Sequence, residues 1–545
     1  MSDKRRRWGQ FETPPEVVDL VLGFCLRRPG DLLLDPSCGQ GVFLRRADRY
    51  RRWLANDGLE APASKLWGVE IDPVAASVAQ ESLTARILVS DFFCLQPGEE
   101  LPGSFDCVVG NPPYTRAEWL GGVADDADYK ATIRHRAISG IDGASLAQMS
   151  KRSGLHTFFF LHGYKFLCPR GRFGFVVSNS WLDVDYGIGL KRFLLEHFRI
   201  IAIVESAVER WFDQARVNTC LVILERSDDP DGRARNRVRF ARLWRPLSAF
   251  ITRPLDSAGR AVEVENLIMR LLPGCSRLGG DGDVRVRVVP QSDLRPDCKW
   301  GPYLRAPEVY FRTKSREGTV RLAEVARVRR GCTTGANRFF YLTPERIAAW
   351  GIEPQFLHAL LKSPKEIAKI RVTRAHLRHR VLTAEQDRGE LTGTNVLRYI
   401  EWGESHGFHR RPTCAHRTPW YRLAKQDQFP VRLAWIKGIW RRHFAPLVEG
   451  DIWLDQQFYG LSADPDLEEA LAAVLNSTWV ALQTELMGRS NLGEGVLWLA
   501  GYEVERIRLP DLRHLPTNDR RCLVEALAPI ADSTVCSITE QVERP

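Results

Sequence analysis

The sequence predicts an α/β fold, in which a doubly wound and mostly parallel sheet is followed by a region of mixed α+β structure. Short β-branched runs alternate with helical patterns through the first 230 residues, which is typical of βαβ units. Glycine or acidic residues follow several of these runs. From about residue 318 the composition changes, and arginine, tryptophan and histidine become frequent.

Seven runs are predicted to be strands of the first domain. They are Leu32–Asp35, Leu66–Asp72, Ile87–Asp91, Phe105–Gly110, Phe173–Ser178, Ile200–Glu205 and Cys220–Glu225. A helix is predicted from Pro14 to Arg28, with Thr13 as its cap, and a single helix from Leu467 to Met487. The polar, turn-rich stretch after Arg226 indicates the end of the sheet, so the domains are predicted to be 1–245 and 246–545.

The composition is that of a globular protein. The chain has 545 residues, of which 44% are hydrophobic and 26% charged, enough for two to four domains with cores of their own. Twelve dispersed cysteines without a CxxC pair favour a reducing compartment. No apolar run approaches the ~20 residues of a membrane span. We therefore expect a cytoplasmic protein that does not enter a membrane.

The net charge of +10 is unevenly distributed. Residues 301–450 contain 28 basic and 13 acidic side chains, whereas residues 451–545 contain 7 basic and 16 acidic ones. The basic segment also includes Trp402, Trp420, Trp435 and Trp440. Cations for phosphates and rings for unstacked bases are typical of a nucleic-acid-binding surface.

Three predicted strands end in residues that suit an adenosine cofactor. The first is followed by Asp-Pro-Ser-Cys-Gly-Gln-Gly (35–41), whose glycines allow close approach of a ligand to the backbone. It lacks the GxGxxG spacing of dinucleotide-binding enzymes. The second ends in Glu70 and Asp72, of which Glu70 can accept ribose hydroxyls and Asp72 is better explained as a helix cap. The third ends in Asp91 and Phe92, an acceptor for an amine and a ring for adenine.

The fourth strand ends in Asn111-Pro112-Pro113-Tyr114, the most specific motif in the chain. The lone pair of an amino group on an aromatic base is delocalised into the ring. An Asn oxygen and a backbone carbonyl held by prolines could accept both amino hydrogens and localise that lone pair. Tyr114 could stack on the base. A simple turn is the alternative interpretation.

These motifs resemble those of the S-adenosylmethionine-dependent N6-adenine DNA methyltransferases, with the cofactor motifs first, the catalytic tetrapeptide next and a target-recognition domain last. The resemblance implies a Rossmann-like class I methyltransferase domain with a C-terminal mixed α+β domain. It implies that the cofactor pocket is lined by Thr13, Asp35, Pro36, Cys38, Gly39, Gly41, Glu70, Ile71, Asp91 and Phe92. The adenine would be held by Asn111, Pro112, Pro113 and Tyr114, with Phe212 stacking on it and its neighbour Trp211 as the less favoured choice.

The function implied is site-specific methylation of a flipped adenine in duplex DNA, in restriction-modification or phage defence. S-adenosylmethionine is the expected cofactor, and no metal is expected. Double-stranded DNA is the expected partner, together with a separately encoded restriction endonuclease or defence component. The chain is expected to be a monomer.

The sequence also leaves alternatives open. Methyltransferases acting on RNA adenines and on protein glutamines carry the same tetrapeptide; the long basic domain disfavours a protein substrate, and RNA stays open. A fused nuclease is disfavoured because no Pro-Asp…Glu-x-Lys set follows. His406, His409, Cys414 and His416 match no standard zinc spacing. The loop Arg330–Phe339 suits either a phosphate contact or a tight turn.

Overall fold

The computed structural model describes residues 12–55, 65–113, 126–141, 149–150, 153–212, 218–272, 278–423, 431–489 and 496–543. The chain divides into two compact units, unit 1 (Met1–Arg305) and unit 2 (Ala306–Pro545). Each unit has hydrophobic clusters of its own.

Unit 1 consists of strands and helices that alternate along the chain. Its strands are β1 (Leu33–Asp35), β2 (Leu66–Glu70), β3 (Arg86–Val89), β4 (Phe105–Gly110), β5 (Leu167–Ser178), β6 (Phe198–Ser206), β7 (Thr219–Arg226), β8 (Arg237–Leu243), β9 (Leu278–Asp281) and β10 (Val284–Pro290). Its helices are α1 (Pro15–Cys25), α2 (Val42–Leu54), α3 (Pro73–Ser82), α4 (Asp126–Ile138), α5 (Leu155–Lys165), α6 (Gly187–His197), α7 (Pro230–Ala234), α8 (Gly259–Leu271) and α9 (Gly301–Arg305).

The strands of unit 1 form one sheet in the order β3-β2-β1-β4-β5-β7-β6-β8-β10-β9. The five strands from β3 to β5 are parallel, and β7 runs antiparallel to both β5 and β6. One face packs against α1, α2 and α8, and the other against α5, α6 and α9. The doubly wound fold is confirmed, and all seven predicted strands are present.

Three further strands extend this sheet beyond the predicted end of the first domain. β8 pairs in parallel with β6, and β10 and β9 follow by antiparallel pairing. The predicted boundary at residue 245 therefore lies inside unit 1, and the compact unit ends at Arg305. The stretch after Arg226 connects β7 to β8 through the short helix α7, and because both strands belong to the same sheet it is not a domain linker. A polar connection within a sheet has the same composition as a linker between domains, so the sequence did not distinguish the two.

A buried ion cluster attaches α8 to α1. Asp19 of α1 is 0% exposed and accepts hydrogen bonds from Arg46 Nε at 2.7 Å and Arg260 Nε at 2.5 Å. Arg260 also donates to Glu16, and Arg46 donates to the Leu255 carbonyl. A buried carboxylate is tolerated only with such partners. The cluster explains why the chain beyond residue 245 stays with the first sheet.

Unit 2 is a mixed α+β unit, as predicted. Its strands are β11 (Thr319–Arg321), β12 (Ala326–Arg330), β13 (Tyr341–Leu342), β14 (Leu357–Leu361), β15 (Arg371–Thr373), β16 (Arg380–Leu382), β17 (Leu433–Ile436), β18 (Gly438–Ile439), β19 (Leu447–Glu449), β20 (Ile452–Leu454), β21 (Phe458–Ala463), β22 (Leu497–Trp498) and β23 (Arg508–Pro510). Its helices are α10 (Glu308–Lys314), α11 (Asn337–Phe340), α12 (Pro344–Trp350), α13 (Asn395–Ser405), α14 (Pro412–Ala415), α15 (Glu468–Leu475), α16 (Thr478–Met487), α17 (Gly501–Val504), α18 (Thr517–Ala531) and α19 (Ile538–Glu543).

These strands form a five-stranded sheet β12-β21-β17-β19-β15, a four-stranded sheet β13-β16-β14-β20 and two pairs, β11-β23 and β18-β22. The single helix predicted from Leu467 to Met487 is wrong. It is divided into α15 and α16, because Asn476 bonds to Ala445 and Ser477 caps the second helix by accepting from the Val480 N–H. An Asn-Ser pair favours such a cap, but the Ala445 partner is distant in sequence.

Among the described residues, no helix combines the length and the apolar character that crossing a bilayer requires.

We expect Asp19→Ala to destabilise the protein by about 3–5 kcal/mol, because it leaves two buried guanidinium groups without their shared carboxylate. Urea unfolding at neutral pH measures this loss. The matched control is Asp256→Ala, which removes an exposed ion pair with Arg49 between α2 and the segment before α8. That change should cost no more than about 1 kcal/mol. Equal losses in the two variants would show that the Asp19 cluster does not hold α8.

Candidate active site

The carboxyl ends of β1, β2, β3 and β4 lie at one edge of the sheet, because these strands are parallel neighbours. Asp35, Glu70, Asp91 and Asn111 stand at or directly after these ends. The prediction that the four residues share an edge is therefore confirmed. The edge combines three carboxyl groups with one amide.

Glu70 fixes the glycine loop between β1 and α2. Its Oε2 accepts from the Gly39 N–H at 2.8 Å, and its Oε1 accepts from the Asp72 N–H at 2.9 Å. Gly41 has φ +82° at the start of α2, a conformation that favours glycine. Burial raises the pKa of Glu70, against these two backbone bonds. Each carboxylate oxygen keeps further acceptor capacity for a ligand hydroxyl.

Asp35 is fully buried at the end of β1. Its Oδ1 accepts from the Ser37 N–H at 3.1 Å, and a Cβ on Gly110 would lie 2.7 Å from the same oxygen. Gly110 is thus required for the close approach of β4 to this carboxyl group. Burial, assisted by the nearby charge of Glu70, raises the pKa of Asp35 to about 8. Pro36, which follows it, is buried as well.

The side chain of Cys38 belongs to the core beneath the loop. It is buried, and its burial raises the thiol pKa far above the usual range. A neutral thiol is a poor nucleophile. Cys38 is accordingly a packing residue of the glycine loop.

Ile71 is an apolar side chain that the edge leaves exposed. It is 42% exposed directly after Glu70, whereas Asp72 caps α3 by accepting from the Val74 N–H at 3.0 Å. The capping interpretation of Asp72 is confirmed. An exposed isoleucine beside a carboxylate suits the apolar face of a ligand ring.

Asp91 lies at the carboxyl edge, whereas the neighbouring Phe92 lies in the hydrophobic core. Asp91 accepts from the Phe93 N–H at 3.0 Å and from the hydroxyl of Tyr129 on α4 at 3.0 Å. Phe92 is 3% exposed, and its ring stacks on Phe159 with centroids 5.7 Å apart. The structure thus places Phe92 in the aromatic core. Sequence reasoning missed Tyr129, since no motif surrounds it.

Asn111 is connected to the start of α1. Its Nδ2 donates to Thr13 Oγ1 at 3.1 Å, across 98 residues of sequence. The prediction that Thr13 caps α1 is wrong, because the capping position is Pro14 and no side chain caps the helix. The Thr13 hydroxyl orients the Asn111 amide instead. Pro112 is buried and Pro113 is partly buried; Tyr114 lies outside the described residues.

Phe212 and Trp211 both lie in the hydrophobic cluster on the α1 face of the sheet. Phe212 is 4% exposed and Trp211 7%, and the indole of Trp211 donates to Glu209 at 3.1 Å. To stack on a base, the Phe212 ring would have to be uncovered first.

The motif residues of unit 2 have mainly structural contacts. Cys414 is buried with its thiol 3.6 Å from the Thr334 carbonyl, and His406 contacts the Trp402 ring at a centroid distance of 4.5 Å. In the described ranges no three His, Cys, Asp or Glu side chains are grouped as metal ligands. Gly331 passes so close to the Asp455 carbonyl that a Cβ would be 2.3 Å away.

Comparison with known proteins gives two family models. The model "Eco57I restriction-modification methylase" matches residues 88–212, and the model "Type II methyltransferase M.Eco57I, C-terminal domain" matches residues 304–541. The second match begins at the boundary between the two units.

Two relatives match over most of their length. The chain is 25% identical over 540 residues to the Type II methyltransferase M.XamI of Xanthomonas campestris pv. amaranthicola, covering 94% of this chain and 87% of that one. It is 22% identical over 441 residues to M.AccI of Acinetobacter calcoaceticus, covering 79% and 71%.

Among solved structures, the Type IIL restriction-modification enzyme MmeI in complex with DNA has a TM-score of 0.54 and 13% identity. The match covers 97% of this chain and 77% of that one, and it shows a shared fold. From the edge geometry, the two family models and the relatives together, the chain belongs to the family of restriction-modification DNA methyltransferases.

Proposed function

We propose that this chain transfers a methyl group from S-adenosylmethionine to N6 of an adenine extruded from duplex DNA, at a specific sequence. The observation that carries this proposal is Asn111 at the carboxyl edge, followed by two prolines and oriented by Thr13, next to the carboxyl groups of Asp35 and Glu70. The family supports DNA as the substrate, and the tetrapeptide supports adenine.

The residues at the edge fit an adenosine cofactor. The Glu70 carboxylate can accept ribose hydroxyls while it retains its two backbone donors, and the exposed Ile71 can cover one face of an adenine. Gly39 has φ +53°, and a Cβ there would meet no atom within 4 Å, so the backbone at this point is open to a ligand. When bound, the cofactor supplies an electrophilic methyl group. Asp35 and Asp91 supply the remaining acceptors of the pocket.

The chemistry assigned to the protein is positioning. The Asn111 Oδ1 and the Pro112 carbonyl would accept the two hydrogens of the base amino group, which turns its lone pair toward the incoming methyl group. The hydrogen bond from Asn111 Nδ2 to Thr13 fixes the rotation of the amide. No general base is needed before the transfer, because the amine becomes acidic only afterwards.

The base must leave the helix before it can react, at a cost of a few kcal/mol. Stacking on Tyr114 and Phe212, at ~1–3 kcal/mol for each ring, would offset that cost. Because Phe212 is buried, we infer that DNA binding also exposes the ring of Phe212. The basic residues of 301–450 would contact the phosphates.

The biological setting proposed is restriction-modification or phage defence in the cytoplasm. The chain would act as a monomer that modifies sites recognised by a separately encoded endonuclease or defence component. Unit 2 would supply target recognition, since its family model is the C-terminal domain of a Type II methyltransferase.

Glu70→Ala should weaken S-adenosylmethionine binding about 10- to 150-fold, which corresponds to ~1.5–3 kcal/mol for hydrogen bonds to a charged acceptor. Titration calorimetry of both proteins measures it. The matched control is Asp72→Ala, which removes the α3 cap two residues away. It should lower stability by ~1 kcal/mol and leave cofactor affinity unchanged. If Glu70→Ala binds S-adenosylmethionine as well as the wild type does, the only role of Glu70 is to hold the glycine loop between β1 and α2.

Asn111→Ala should abolish methyl transfer while cofactor and DNA binding remain, because the change removes an acceptor used only on the extruded base. Tritiated methyl transfer to duplex DNA, with the modified base identified by mass spectrometry, measures it. Thr13→Val provides the graded comparison: it keeps the Asn111 oxygen but removes the hydroxyl that orients it, so turnover should fall less. Product on cytosine, product on RNA alone, or full activity of Asn111→Ala would each contradict the mechanism.

A further inference from the structure

A row of charged side chains crosses three strands of unit 1 near the carboxyl edge. Glu205 of β6 is the register partner of Arg242 on β8, and Arg242 is the register partner of Arg285 on β10. Neighbours in register point to the same face of a sheet. The row therefore reads Glu205, Arg242, Arg285 on the face covered by α9.

The carboxylates of this region are already neutralised by Arg305, the last residue of unit 1. Its Nε donates to Glu205 at 3.2 Å, and its Nη1 donates to Asp183 at 2.8 Å. Asn179 adds a further hydrogen bond to Glu205 at 3.2 Å. No hydrogen bond between Glu205 and Arg242 is seen among the described residues, and the charge of Glu205 only partly opposes the lowering of the Arg242 pKa by burial.

Arg242 and Arg285 together carry more positive charge than the described carboxylates around them balance, because Glu205 is shared with Arg305. Neither forms an ion pair with a described carboxylate; Arg242 Nε is buried without an acceptor, and Arg285 donates to the Leu304 carbonyl. Burial, together with the charges of Arg242 and Arg287, lowers the pKa of Arg285. Two like charges directly opposite on neighbouring strands destabilise a sheet. A pair of neighbouring guanidinium groups is expected where a bound anion compensates their mutual repulsion.

The surroundings favour the phosphate of a nucleic acid. Trp244 follows β8, is 45% exposed and lies under Arg242, with the guanidinium carbon 5.1 Å from the ring centroid. Two guanidinium groups can grip phosphate oxygens, and an exposed ring beside them can pack on a sugar or base. Asp283, the acidic residue nearest in sequence, pairs with Arg245 and Arg270.

The row also lies at the edge that carries Asn111. β8 runs in the direction of β6, and the strands between β4 and β8 are β5, β7 and β6. At ~4.8 Å a strand, Arg242 is about 19 Å along the edge from the end of β4. Phosphates on one DNA strand are spaced ~3.4 Å along the axis, so this distance spans roughly six nucleotides.

We propose that Arg242 and Arg285 form a phosphate site that holds the DNA backbone several nucleotides from the extruded base. This inference rests on the proposed function, because it takes DNA as the ligand. The site does not distinguish between base sequences; it fixes the position of the DNA strand on unit 1.

The test measures binding of the full chain to a duplex oligonucleotide over a series of salt concentrations. Arg242→Gln with Arg285→Gln should weaken binding at least about tenfold, the loss of one charged hydrogen-bonded contact. It should also reduce the slope of log K against log salt by ~0.9, the value for one phosphate. The matched control is Arg239→Gln, on the same strand with its side chain on the opposite face; its slope should stay that of the wild type.

Thermal unfolding of the free proteins separates a binding role from a structural one. Because the double variant removes a like-charge pair, its melting temperature should be equal to or above that of the wild type. A lower melting temperature, or a salt slope equal to that of the wild type, would overturn the inference.

A second probe keeps the inference distinct from the proposed function. Inorganic phosphate, compared with chloride at equal ionic strength, should raise the melting temperature of the wild type by more than that of the double variant, because the general stabilisation by phosphate acts on both proteins and site binding only on the wild type. Equal stabilisation of both proteins would overturn the phosphate site. Wild-type chain that binds duplex DNA with the expected slope but transfers no methyl group would support the site and reject the proposed chemistry.

Discussion

The parallel pairing of β3, β2, β1, β4 and β5 is the constraint on which the rest of unit 1 depends. Parallel strands need a crossover of a dozen or more residues, so the four site residues lie far apart in the sequence. In the sheet, the same pairing brings all four strand ends to one edge. The site therefore exists only when the ladder is complete, and its parts cannot assemble independently.

Assembling carboxyl groups at that edge has a physical cost. Asp35 and Glu70 are both buried, and burial raises the pKa of each. The backbone donors of Ser37, Gly39 and Asp72 offset part of this cost. Since a ligand with hydroxyl or cationic groups would offset more, the edge is better suited to the bound state than to the free one.

Charged side chains elsewhere in unit 1 also carry an electrostatic cost. Asp19 is balanced by two arginines within the fold, whereas Arg242 and Arg285 face each other beside Glu205, whose charge is already shared with Arg305. The first arrangement holds α8 on the sheet and extends unit 1 to Arg305. The second has no such structural use, which is why we assign it to a ligand.

The sequence by itself determined seven of the ten strands of the first sheet and most of the residues at its carboxyl edge. The β-branched runs marked seven strands to within a few residues, and the strand-end motifs named Asp35, Glu70, Asp91 and Asn111. These features are local: periodicity and capping depend on neighbours a few residues apart. The role of Asp72 as a cap was likewise decided within its own turn.

Only the tertiary structure decided which distant residues meet. It paired Thr13 with Asn111, brought Tyr129 to Asp91, buried Phe92 and Phe212 in the cores, and extended unit 1 past residue 245. Each outcome depends on contacts between segments far apart in the chain, which leave no local pattern. A threonine directly before a helix that begins with proline looks like a helix cap in the sequence, whether or not its hydroxyl bonds to another residue. The role of Thr13 was decided by the amide of Asn111, which is distant in the sequence.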